Sequence, residues 1–206
     1  MTPRYRDDNR RQLMSETRQR LVNAAIEEIA REGYENASIS RITQAAGVAT
    51  GTIYNYFPSK HELMLAILTE IGTAHCAYIA GHIRQEEDVF RRAERLMEVV
   101  FAYVADYPQQ ARIIFTMLQG ANLTFKMHMS QVYLPLSRLI SEEILIPGME
   151  KGVFPAMDPV STTLMIMTFF LGLGAIVDEN GVLPVDLNEV GAFVLRALGA
   201  QPGGKE

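Results

Sequence analysis

The side chains best suited to chemistry fall between Ser38 and Lys60. Thr50-Gly51-Thr52 is a run of small polar residues, Tyr54, Asn55 and Tyr56 follow with hydroxyl and amide groups, and Lys60 comes two residues after Pro58. A short helix that leads with small polar residues can bring its backbone close to base edges in a groove about 12 Å wide, while the groups behind it clamp phosphate. Lys60 also begins a helix, where free N–H groups favour an anion. Ile53 and Phe57 are the apolar positions of this stretch and are expected to point inward. Other chemistry is poorly served. His75 and His82 stand seven apart on one helix face with Cys76 beside the first, but no third ligand has metal-site spacing and Cys76 turns about 100° away. Neither a metal nor a cofactor is expected. The chain has no glycine-rich phosphate loop, no nucleophile elbow and no supported acid pair, so enzyme activity is not expected either.

The elements that must position these residues read as helices throughout, because apolar residues recur at three and four and hardly ever alternate. A first helix is expected over about 15–31, with Leu21, Ala25 and Ile29 on one stripe and Gly33 ending it. Ser38 has the character of an N-cap for a short second helix that buries Ile42 and Ala45 and stops at Gly47. A third short helix runs from about Thr50 to Phe57 and is closed by Pro58. Ser59 to Glu62 is a capping box that opens a fourth helix at about 61–83. Further helices are expected at about 88–106, 109–118, 123–147, 158–178 and 187–198, punctuated by Gly and Pro.

Two short helices joined by a tight glycine turn make a helix-turn-helix. The stretch from Arg20 to Leu65 resembles the DNA-binding domain of the TetR family of bacterial regulators, through Gly33-Tyr34, Ile42 to Val48, Gly51 to Phe57, and Ser59-Lys60 with Leu63. The likeness is gapless over 46 of 206 residues. It implies an all-α fold: an N-terminal three-helix helix-turn-helix DNA-binding domain followed by a larger helical ligand-binding and dimerisation domain. It implies that Thr50, Gly51 and Thr52 face the groove, that Tyr54, Tyr56 and Lys60 hold phosphate beside Asn55, and that Ser38 caps the second helix and touches the DNA backbone. The sequence departs from the family at Ala49, where Ser is usual, and at Thr43, where Ala is usual. The first change leaves the third helix without its customary cap, with Thr50 as the candidate substitute.

The resulting division is a flexible basic arm (1–14), the DNA-binding domain (15–65), the helical ligand-binding and dimerisation domain (66–200) and a tail (201–206). Arg4, Arg6, Arg10 and Arg11 are either a minor-groove arm or a solvated tail, and Arg18 and Arg20 either face phosphate or do not. The large domain is rich in Met and aromatic residues, which suit an adaptable apolar cavity as well as an ordinary core. Phe101, Met117, Met129, Tyr133 and Phe169 are the expected walls. His128 and Tyr133 either serve as polar groups in such a pocket or are satisfied within the core. The apolar helix near 158–178, with Gly172 and Gly174 for close approach, and the helix near 187–198 are expected to form a homodimer interface. One recognition helix reads few bases, and two readers about 34–36 Å apart match a palindrome. The expected function is thus a repressor released from a palindromic operator in double-stranded DNA by an apolar small molecule. The alternative is the same DNA-binding fold controlled by a protein partner or by abundance.

Charge and composition fit this division. The net charge is −5, yet residues 1–62 hold nine basic and eight acidic residues while the remainder holds ten and sixteen, so the N-terminal part is the better phosphate partner. A single cysteine excludes an internal disulfide, the charged N-terminus lacks a signal peptide's apolar run, and a cytoplasmic location is expected. Nineteen uncharged residues lie between Asp158 and Asp178, but Ser161, Thr162 and Thr163 and the lack of basic flanks favour a buried helix over a membrane span.

Overall fold

Helix formers run almost unbroken from Arg4 to Arg31, and a computed structural model turns this whole stretch into one helix. The structure describes residues 3–174, 176 and 184–201, with side chains from residue 8 onward. Helix α1 spans Pro3–Asn36. The expected flexible arm is therefore helical from Pro3. Pro3 sits at the helix start, where its missing N–H costs nothing, and no glycine or further proline interrupts the run before Gly33. The side chains of Arg4 and Arg6 lie outside the described residues. At Gly33 the backbone leaves the helix with φ 77° and ψ 161°.

The chain divides into two compact units, residues 1–70 and 71–206. In the first, α2 (Ile39–Ala45) and a 3₁₀ helix (Thr50–Asn55) follow α1, and α3 (Lys60–Ile83) begins. Leu21, Val22 and Ala25 of α1 are buried together with Ile42, Ile53, Phe57, Leu63 and Met64. At about 25 cal/mol per Å² such burial is the main force holding the unit together.

The second unit contains the rest of α3 with α4 (Val89–Asp106), α5 (Pro108–Gln119), α6 (Leu123–Val132), α7 (Leu134–Ile140), α8 (Ile146–Glu150), α9 (Pro159–Gly174) and α10 (Leu187–Ala197). Side-chain oxygens of Asp88, Asn122, Asp158 and Asp186 cap the starts of α4, α6, α9 and α10 by accepting from nearby backbone N–H groups. Residues 141–145 form a π turn ahead of Pro147. Pro147 has no N–H for the Glu143 carbonyl, and its ring would crowd that oxygen in a regular helix. Arg92 Nη1 donates to this carbonyl at 3.4 Å, and Arg84 grips the Glu143 carboxylate at 2.6 and 3.1 Å.

One expectation changes here. Gly174 does not wait for a second chain: a Cβ there would meet the Phe115 ring at 2.0 Å, so α5 occupies the space its missing side chain leaves. Gly172 has no neighbour within 4 Å of that position. Among the described residues one helix, α3, is long and apolar enough to cross a membrane; the 158–178 segment, read from sequence as a buried helix, contributes the described helix α9 of 16 residues. Half of the apolar window of α3 is buried within the protein.

Candidate functional site

Ser38 leaves α1 in an extended conformation and caps α2, its Oγ accepting from the Arg41 N–H at 3.4 Å. Its own N–H donates to Glu28 Oε1 at 3.0 Å. Glu28 is nearly enclosed, and Arg41 Nε donates to the same oxygen at 2.6 Å while Arg31 pairs with the other. Burial alone would push the Glu28 carboxyl up; the Ser38 amide and the two guanidiniums outweigh it and hold the group below its ordinary value. Glu28 therefore fixes the corner between α1 and α2. Sequence reasoning missed it, although a Glu on the otherwise apolar stripe of the first helix was the available signal.

The turn after α2 closes at Gly47, whose φ of 70° is a left-handed conformation that side chains resist. Gly47 N–H donates to Gln44 O at 3.1 Å and Val48 N–H to Thr43 O at 3.0 Å. The 3₁₀ helix then starts at Thr50, with Ala49 offering no side-chain cap. Thr50 does not replace it. The Thr50 hydroxyl instead lies 3.4 Å from that of Thr43, which is buried and bonded to the Ile39 and Ser40 carbonyls. Thr43, one of the two positions that depart from the family pattern, thus joins α2 to the tip that follows.

Above the buried Ile53 and Phe57, the groups expected to meet DNA are grouped on one short element. Thr50, Gly51, Tyr54 and Asn55 are exposed, and Thr52 and Tyr56 are half-buried. Tyr54 is 55% exposed. Lys60 is also half-buried, its ammonium donating to the Glu35 carbonyl at 2.9 Å and lying 5.0 Å from the centre of the Tyr34 ring. Tyr34 is half-buried and forms a platform for that lysine. Arg18 is engaged with Glu70 at 3.7 Å and stacks over Phe57. Arg20 is exposed beside the turn, with Nη1 3.8 Å from where a Cβ on Gly47 would stand.

The second unit contains a cavity of about 350 Å³. Of the five expected wall residues, Phe101, Met129 and Tyr133 line it, and Met117 and Phe169 do not. Met117 is buried elsewhere in the unit. Phe169 is one step of about 100° out of phase: its ring stacks on Phe193 of α10 at 5.8 Å, while Phe170 reaches the cavity and meets Phe101 edge to face. His128 is not part of the wall; the histidine that is, His75, lies 2.7 Å from the Tyr133 hydroxyl through Nδ1. Among the described residues no three His, Cys, Asp or Glu side chains converge as a metal site.

A helix-turn-helix displayed on an all-helical unit, followed by a larger helical unit with an apolar cavity, defines a DNA-binding transcriptional regulator. Residues 21–67 match the model of the bacterial regulatory proteins of the tetR family. The fatty acid metabolism regulator protein of Bacillus subtilis is 30% identical over 139 residues, covering 64% of this chain and 68% of that protein. The HTH-type transcriptional regulator YvdT of the same organism is 27% identical over 190 residues, 88% of this chain and 94% of its own. Among solved structures, FadR from Bacillus subtilis in complex with stearoyl-CoA superposes with a TM-score of 0.75 at 23% identity, covering 87% of this chain and 96% of that one. The chain belongs to the tetR family of bacterial regulatory proteins, whose members are transcriptional regulators rather than enzymes.

Proposed function

We propose that the protein represses transcription in the cytoplasm by binding a palindromic operator as a homodimer, and that an apolar small molecule in the cavity of the second unit releases it. The observation that carries the DNA reading is Gly51. Its φ is not left-handed, and a Cβ there would meet nothing within 4 Å. The fold leaves that position open, which supports a close approach of the tip's backbone to the groove floor. Thr50 and Thr52 then read base edges, Tyr54, Asn55 and Tyr56 hold phosphates, and Lys60 swings from the Glu35 carbonyl to phosphate. Ser38, at the start of α2, and Arg20, beside the Gly47 turn, are further phosphate donors.

Support for a dimer comes from α9 and α10, which leave Val160, Met165 and Phe193 more than half exposed. Support for an effector comes from the cavity and from the stearoyl-CoA found in a structure of the same fold. Ligand binding favours a dimer form that spaces the readers badly, lowering operator affinity by mass action. The helix shared by both units, α3, carries the coupling. The test is selection of bound duplexes from a random pool, then fluorescence polarisation on the selected duplex with and without long-chain acyl compounds. Enrichment of a two-fold symmetric site and a ligand-dependent drop in affinity are expected. Recovery of no symmetric site, or an affinity indifferent to every compound that binds, rejects the corresponding half.

A further inference from the structure

Among the described residues, the cavity lined by Phe101, Met129 and Tyr133 has no Asp, Glu, Lys or Arg on its wall. Its exposed polar residues, Ser130 and Thr168, belong to the rim, and the Ser130 hydroxyl is already donated to the Lys126 carbonyl at 3.0 Å. Ser137, also on the wall, is half-buried, and the fully buried polar groups are His75 and Tyr133. They come from α3 and from the α6–α7 junction and are held together by the 2.7 Å contact between Nδ1 and the hydroxyl. His75 is clamped further by the Tyr103 ring, stacked at 4.2 Å and 22°, and Tyr103 is itself anchored by donating to Gln110 Oε1 at 2.5 Å. The Nε2 of His75 is buried and has no partner.

Counting protons gives the consequence. A neutral imidazole and a phenol bring two polar hydrogens to the pair, and their mutual bond uses one. If Tyr133 donates to Nδ1, the free donor is the Nε2–H; if Nδ1–H donates to Tyr133, the free donor is the phenol O–H. One donor is left over in either tautomer, in an enclosed apolar place where an unmade hydrogen bond is costly. Burial lowers His75 to about 4 and raises Tyr133, so the pair is neutral at physiological pH.

We propose that the cavity takes a neutral apolar molecule carrying a hydrogen-bond acceptor, an ester or ketone carbonyl, and that the His75–Tyr133 pair is the group that recognises it. This rests on the reading of the cavity as an effector site. A free carboxylate is disfavoured, because no cation on the wall compensates for its desolvation. A plain alkane fits the walls but leaves the spare donor unpaired.

The experiment uses the full chain at neutral pH and measures displacement of Nile red by methyl decanoate, undecane and decanoate. Methyl decanoate is expected to bind about three- to tenfold more tightly than undecane, the worth of one neutral hydrogen bond, with decanoate the weakest. The double variant His75→Leu/Tyr133→Phe is expected to erase the ester's advantage while still binding undecane. Tyr133→Phe alone leaves the imidazole N–H free to donate and is expected to keep a preference for the ester; if the double variant does not fold, the carbonyl stretch of the bound ester in the wild type carries the test. Bound methyl decanoate should show a carbonyl stretch shifted to lower frequency in the wild type and unshifted in the double variant. If all three compounds bind equally, if decanoate binds best, if the preference survives the double variant, or if the carbonyl stretch of bound methyl decanoate is unshifted in the wild type, the recognition assignment is overturned and the cavity still stands as an effector site. If none of the three enters, the effector reading falls, and this assignment with it.

Discussion

Replacing Glu28 by Gln removes a charge from the corner that joins α1 to α2 while keeping a carbonyl oxygen in place. In the wild type one carboxylate oxygen accepts from the Ser38 N–H at 3.0 Å and from Arg41 Nε at 2.6 Å, and the other meets Arg31. The arginines are 50% and 61% exposed, so water takes them back when the charge is lost and the Coulomb part must be discounted. What remains is the weakening of hydrogen bonds inside the unit, about 1 to 2 kcal/mol. Glu28→Leu should cost more than Glu28→Gln, since it also leaves the Ser38 amide without an acceptor.

The pH dependence separates this account from a simple packing defect. The Glu28 carboxyl is held below its ordinary value of 4.5. Its contribution is therefore fully present above about pH 4.5 and is lost as pH falls through the depressed value in the folded protein. Urea denaturation of wild type and Glu28→Gln, followed by circular dichroism from neutral pH downward, should show a gap that is constant near neutrality and shrinks below about pH 4.5. A gap of equal size at all pH values would mean that the charge contributes nothing and the reasoning is wrong.

Gly51→Leu should leave the melting profile unchanged, because nothing of the protein stands near that position, yet reduce operator affinity by at least tenfold; intact binding in a polarisation titration removes Gly51 from the interface. Lys60→Ala should weaken binding to all sequences alike and lower the slope of log affinity against log salt by about one, whereas Thr52→Ala should change base preference in a selection experiment. Met165→Glu, at a side chain 69% exposed on α9, should shift the protein toward monomer in sedimentation while preserving helicity; a dimer that persists would place the interface elsewhere. Gly174→Ala should destabilise the second unit, since its Cβ would overlap the Phe115 ring at 2.0 Å, and an unchanged melting temperature would contradict that packing.

Local patterns were legible where one local rule settles the outcome. Gly33 and Gly47 end their helices with positive φ, and Ser38 caps as its type and place suggest. Pro147 reads as a stop, yet the helix passes through it, because a π turn and a distant arginine supply what a regular helix could not. The arm likewise appears charged and loose by composition, but a run free of internal glycine and proline is also helical by propensity, and the helix prevails.

The cavity tests the boundary most sharply. Choosing Phe169 over Phe170 is a choice of phase on a helix apolar on almost every face, and periodicity cannot set the phase of such a helix. Tyr133 was visible as a polar group in an apolar stretch, and His128, five residues away, was its natural companion by sequence. The actual companion, His75, is 58 residues away and meets it only because two helices pack side by side. Hydrogen-bonded pairs of this kind follow from tertiary packing, and their members carry no mutual signature along the chain. The helix-turn-helix is a local motif and can be read from sequence, while the cavity is built from long-range pairings that appear only once the helices are in place.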